Sequence, residues 1–432
     1  MIAAYRFELR KLVVTWRSRS LLVVCWSVPG VLVAAISQQG NLPTDTIFGR
    51  WMGTTGWAGS LVVLSFCCSW VLPLLASVLA GDVFAVEDRL GTWRHLLVAV
   101  RSTRRVFAAK ALAALTVLVL LVAGLAASST VGGVLAAGAG PLVGLDGQTL
   151  APRDVVIRVL LSWLLALAPT LAFAGLGLLG SVVLGRSTTG LLLPALLALA
   201  LQLLQLLPLP MAVRASVPSY AFLTWRGLFT EPLHGAAVLI GLAVCVAWLV
   251  AAAGLAAWLF QVRDFTDGTA DGLGRRALTR AVLPLAALLA VSVAGVASAT
   301  PSSGQGIDRH RLEPALARAF GHLYRLQARE LHRPDVTEHD LHATAACDKG
   351  GSLVDDLGPG NDWRCAVTWR LPGVSATGTA VYQLQVAADG RYVADGDGPQ
   401  SVNGSFPVAT PTGVEPNPLW QLDGYVDLIS HP

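Results

Sequence analysis

Charge is scarce in this sequence: Asp, Glu, Lys and Arg make up 13% of its 432 residues, where soluble domains carry roughly 25%. Water alone does not solvate a chain that is 54% hydrophobic. Lysine is scarcer still, limited to Lys11, Lys110 and Lys349, and none stands in a G-x-x-x-x-G-K-[ST] phosphate loop, which argues against this polypeptide being an ATPase. Neither G-x-S-x-G nor H-E-x-x-H occurs, so a membrane-embedded hydrolase has no signature here. The long apolar runs hold no clear Asp, Glu, Lys or Arg of the kind that marks proton relays and ion-coupled transporters. The net charge of +4 is small and its cations are scattered, leaving no dense basic face for nucleic acid.

What the chain has instead is apolar length. A helix needs about 20 apolar residues to cross the hydrocarbon core. Windows that approach or meet this length run from Ser20 to Ser37, Ala58 to Ala80, Ala111 to Ser129, Val159 to Leu184, Leu191 to Pro208, Ala236 to Phe260 and Ala281 to Ala299. The first could pass for a secretory signal, but Trp26 and Pro29 interrupt it and no small-x-small cleavage site follows, so it reads as a retained span. Cations near span ends mark the cytoplasmic side. With the N-terminus inside, 16 of them fall inside and 5 outside, and seven spans then export the C-terminus to the far side of a plasma membrane.

From Thr300 the texture changes to Pro, Ser and Gly, and beyond it lie most of the acidic residues and histidines. Leu312, Leu316, Phe320, Leu323 and Leu326 recur at helical spacing; alternating stretches follow at Trp363 to Leu371 and Thr379 to Val386, with Asp389-Gly390 turning into Arg391 to Ala394. The reading is one helix on a small antiparallel sheet. Cys347 and Cys365 are the two cysteines of this domain, and in an oxidising compartment the pair predicts a disulfide. The histidines, with His339 and His342 three apart, lack any fixed metal-ligand spacing, and no metal is expected.

The loop between the second and third windows is the most informative segment. It reads Gly81-Asp82-Val83-Phe84-Ala85-Val86-Glu87-Asp88-Arg89-Leu90-Gly91-Thr92-Trp93-Arg94-His95-Leu96-Leu97, then Arg101-Ser102-Thr103-Arg104-Arg105 and Lys110. An acid, a Gly-Thr pair and a short helix before a Ser-Arg element and a Lys resemble the permease subunits of type-2 (ABC-2) ABC exporters, a likeness that reaches as far as the sixth window. Gly91 permits a sharp bend, Thr92 can cap the short helix, and Trp93, Leu96 and Leu97 offer an apolar face to a partner's groove. Glu87 and Asp88 favour a helix N-terminus and can meet basic groups, and Arg94 adds a cation. In the opening segment Tyr5, Leu9, Leu12 and Trp16 fall on one side of an interfacial helix, which in the resembled family joins the membrane part to the nucleotide-binding subunit and otherwise serves as a topological anchor.

Gly175, Gly177 and Gly180 match G-x-G-x-x-G, but they lie inside an apolar window with no strand before them, so a dinucleotide site is rejected. Gly177, Ser181 and Gly185 instead form a small-residue stripe for helix packing. Pro29, Pro73, Pro169, Pro194 and Pro284 predict kinks.

The expected fold class is an all-α polytopic membrane domain of six to seven spans plus a small exported α+β domain. Residues 1–19 form the interfacial helix, 20–262 the permease-like spans with a coupling loop at 81–106, 263–300 a cytoplasmic linker and added span, and 301–432 the exported domain. The resemblance implies an exporter's transmembrane subunit, not itself an enzyme and without a cofactor of its own. ATP and Mg would be bound by a partner ATPase subunit, the chain pairing with itself or with a related permease among membrane lipid. The added span and the exported domain depart from the six-span family pattern. The alternative is a membrane-anchored signalling or envelope-assembly protein whose exported domain binds a ligand or partner.

Overall fold

A computed structural model describes residues 1–39, 51–52, 55–100, 102–185, 189–263, 274–300, 304–351, 354–404, 407–410 and 413–429. Arg50, Arg101 and Arg186, which entered the charge reading, and the linker at 264–273 lie outside the described residues, as does the Arg94 side chain.

The chain opens with α1 (Ile2–Val14), breaks at Thr15, and continues as α2 (Trp16–Ser37). Next come α3 (Gly56–Leu90), α4 (Trp93–Val100), α5 (Thr103–Ala137), α6 (Pro152–Leu184) and α7 (Thr189–Leu204). Two short helices, α8 (Met211–Ala215) and α9 (Pro218–Ala221), and a 3-10 turn at Thr224–Phe229 lead into α10 (Gly235–Gln261) and α11 (Gly274–Ala299). Among the described residues, six helices are long and apolar enough to cross a membrane, which makes this a multi-pass helical protein. The fifth window, Leu191 to Pro208, differs. Its helix, α7, has 16 residues, a length of roughly 24 Å against a hydrocarbon core of about 30 Å. Leu207-Pro208-Leu209-Pro210 follows, and two prolines so close together remove the amide donors and add the ring clashes that end a helix. Still, the ends of α7 lie at opposite ends of the bundle: Gly190 packs beside Ser181 near the C-terminal end of α6, while Gln205, just beyond α7, bonds to Arg214.

Small residues bring the helices together. A Cβ on Gly177 would stand 2.3 Å from the Ser77 carbonyl oxygen of α3, so only glycine admits that approach. Ser181 is fully buried beside Gly190. Gly185 has another role: at φ +64° it terminates α6. Inside α3 the helix widens into a π turn at Cys67–Val71, and Gln202 of α7 donates to the Cys68 carbonyl there at 3.3 Å.

The C-terminal domain packs α12 (Arg309–Glu330) on one face of a five-stranded antiparallel sheet. Asp308 caps α12 by accepting from the Arg311 amide at 2.9 Å. The α5–α6 loop holds the short hairpin β1 (Leu142–Val143) with β2 (Thr149–Leu150); after the short α13 (Glu338–Leu341), the strands of the five-stranded sheet are β3 (Thr344–Lys349), β4 (Gly360–Arg370), β5 (Thr377–Val386), β6 (Arg391–Gly396) and β9 (Gln421–Tyr425), paired in that order. A short helix α14 (Gln400–Asn403) and the hairpin β7 (Pro407–Thr410) with β8 (Gly413–Pro416) intervene before the last strand. Leu312, Leu316 and Phe320 bury against Trp363, Tyr382 and Leu384, as the helical and alternating periods require. Cys347 and Cys365 are opposed in the β3–β4 register and joined by the expected disulfide.

This domain sits on the loops at one end of the helical bundle. Met211 donates its amide to the Gly304 carbonyl at 2.8 Å, Arg214 bonds the Ala388 carbonyl, and Arg226 pairs with Asp389. His322 Nδ1 donates to the Asp146 carbonyl at 2.8 Å, and Asp146 Oδ2 accepts from the Glu231 amide at 2.6 Å. The domain therefore bridges the α5–α6 loop and the segment between α7 and α10.

Candidate functional site

At the opposite end of the bundle, α1, α3, α4, α5 and the residues after α10 meet around a buried charge network. Lys110, 1% exposed, donates to Glu8 Oε2 at 2.9 Å and to Glu87 Oε1 at 2.8 Å. Lys11 also donates to Glu87 Oε1, and the Thr92 hydroxyl donates to Glu87 Oε2. Two carboxylates thus face two ammonium groups. This balance is what permits burial, because an unpaired buried charge costs several kcal/mol.

The α3–α4 turn is built by its own sequence. Gly91 takes φ +64°, which a β-branched residue resists, and lets the Thr92 amide reach back to the Glu87 carbonyl at 3.2 Å. Trp93 then turns inward. It is 6% exposed, stacks on Phe84 at 5.8 Å, meets Phe260 at 5.1 Å and carries Lys110 5.7 Å above its ring. Phe107 completes the aromatic group. Trp93 Nε1 donates to Asp88 Oδ1 at 2.7 Å, and Arg263 bonds both Asp88 oxygens at 2.6 and 3.1 Å. Arg104 Nε donates to Gln261 Oε1 at 2.6 Å, a second tie between α5 and the end of α10.

The expected partner-facing role of Trp93 needs correction. Its ring is enclosed by this chain's own aromatics, so it anchors the junction internally. Leu96 and Leu97 are half-buried, and the apolar groups turned outward are Leu90, 61% exposed, and Val98, 77% exposed, with His95 between them. Thr92 spends its hydroxyl on Glu87. In the opening segment, Tyr5 bonds Thr116 at 3.0 Å, and Leu9 and Leu12 pack toward the core. Trp16 departs from that face: it lies past the break at Thr15, begins α2, and is 81% exposed.

Sequence reasoning missed Glu8, the Lys11 and Lys110 contacts, Arg263 and the three phenylalanines. The available signal was rarity: Lys110 is one of three lysines, and Glu8 is the one acid in the basic opening segment. His339 and His342 stand with ring centroids 5.6 Å apart, and His322, rather than joining them, is taken up between Asp146 and Glu338.

Set against protein families, curated proteins and solved structures, the chain matches none.

Proposed function

We propose that this chain is the transmembrane subunit of an ATP-driven exporter of the ABC-2 type, working with a separate ATPase that docks at the α3–α4 turn. The observation that carries the reading is the junction itself. A short exposed helix is held by Trp93, Glu87 and Asp88 to α1, α5 and the end of α10 at once. A push on α4 is delivered to the interfacial α1 and to the second, third and sixth crossing helices, because buried ion pairs and close-packed aromatics do not yield independently. The exposed Leu90 and Val98 supply the apolar contact for a partner's groove. In this reading the N-terminus is cytoplasmic, α7 is a short fifth crossing of seven, and the C-terminal domain is exported. Two membrane subunits, identical or related, enclose the path, and ATP and Mg belong to the partner.

The test is co-purification of an ATPase with the full chain. Leu90→Asp with Val98→Asp is expected to weaken that association at least tenfold, about 1.4 kcal/mol, while leaving the detergent melting curve of the chain unchanged. Wild-type affinity and undiminished substrate-stimulated hydrolysis in this variant would remove the residue-level support for the exporter reading.

A further inference from the structure

We propose that the elbow between α1 and α2 is a binding surface for the anionic headgroups of phospholipids, with Arg6 and Arg10 as its phosphate-binding pair. The two arginines lie one turn apart on the face of α1 turned away from α5. Like charges at this spacing repel, and among the described residues neither has a carboxylate partner. The one acid of α1, Glu8, points the other way and is consumed by Lys110. Arg17 and Arg19 extend the cationic surface past the break at Thr15; Arg17 reaches Asp82 only at 3.7 Å, and Arg19 bonds the Val13 carbonyl.

Level and chemistry single out lipid over a cytosolic acidic protein. Trp26 of α2 packs at Leu120 and Gly124 of α5, and Gly30 at Ser128 and Gly132, so the two helices run side by side. The foot of α2 therefore comes level with the stretch of α5 near Thr116, which is also where Tyr5 of α1 bonds. From there α5 projects further, by roughly 10 Å or more to Thr103, and α4 lies out at that projecting end. The elbow is thus at the edge of the crossing helices, set back from the surface a soluble partner meets first. Its free face also carries Phe7, 60% exposed, and Trp16, 81% exposed, residues that insert between lipids while guanidinium groups hold phosphate oxygens bidentately.

The experiment is native mass spectrometry of the full chain extracted from vesicles equimolar in phosphatidylglycerol and phosphatidylcholine. The wild type is expected to retain phosphatidylglycerol in excess. Arg6→Gln with Arg10→Gln should lower the retained ratio at least threefold, whereas Arg89→Gln, an exposed arginine of the α3–α4 turn, should leave it unchanged. Both sites are solvent-facing, so an unaltered melting curve certifies the fold. A wild-type ratio near one, no change in the double variant, or an equal fall in Arg89→Gln would overturn the proposal. So would an unchanged lipid ratio accompanied by loss of a bound cytosolic protein, which would assign the face to a protein instead.

Discussion

Lys110 illustrates how much one residue can hold. Its ammonium touches carboxylates from α1 and α3 and lies over the Trp93 ring, tying together segments that are 102 and 23 residues away in sequence. Lys110→Met leaves Glu8 buried with no cation, and breaking a buried pair from one side costs roughly 3–5 kcal/mol. The melting temperature of the purified chain should fall accordingly. Adding Glu8→Gln should restore most of the loss, since Glu87 keeps Lys11 and Thr92. Equal melting curves for wild type and Lys110→Met would show that the network contributes nothing.

Among the elements, the β3–β4 pair is the one closed covalently. The disulfide spans 18 residues, and a loop of that length restrains the unfolded chain by about 3 kcal/mol. Cys347→Ser should loosen the C-terminal domain by that order while the helical bundle keeps its protection in hydrogen exchange. Free thiols at both positions on alkylation of the unreduced protein would contradict the pairing. Strand β3 is further secured at its outer edge: Glu313 accepts from the Cys347 amide at 3.0 Å and Asp356 from the Lys349 amide at 2.9 Å. Such occupied donors leave less of the edge open to another strand.

At the scale of the whole molecule, the contact between the C-terminal domain and the bundle is built to respond to acid. Burial holds the His234 imidazole below its ordinary value of 6.5, and its ring packs 5.7 Å from Tyr425. A base lowered in this way binds its proton first in the open state. Its contribution is therefore complete above about pH 6.5 and is lost as pH falls through the lowered folded value. Burial raises the Asp389 carboxyl, but Arg226 and Arg391 outweigh it and hold the group below 3.8. That contribution is present above pH 3.8 and disappears only in stronger acid. Protection factors in residues 211–229, taken relative to the intrinsic exchange rate at each pH, should accordingly fall first below pH 6.5, and His234→Gln should remove this early step. An identical early step in the variant would assign it elsewhere.

The same scale carries the sidedness proposed above. A reporter fused after Pro432 is expected to be active only outside the cytoplasm, and one placed near Asp271 only inside. Cytoplasmic activity at the C-terminal fusion would strike α7 from the crossings.

The amino-acid sequence by itself determined the apolar runs that become the crossing helices, the amphipathic α12, the hairpin at Asp389-Gly390 and the partnership of Cys347 with Cys365. Each is a matter of composition, period or count along the chain, set by burial of backbone and apolar surface near in sequence. Tertiary structure alone decided that Trp93 turns inward, that Glu8 meets Lys110, that Gln202 fills the π turn and that the C-terminal domain rests on the loops around Asp146 and Arg226. A lone tryptophan or acid carries no mark of the face it will take, because that choice is made by side chains far along the chain. Their arrival depends on how whole helices pack, through close approaches such as Gly177 on Ser77.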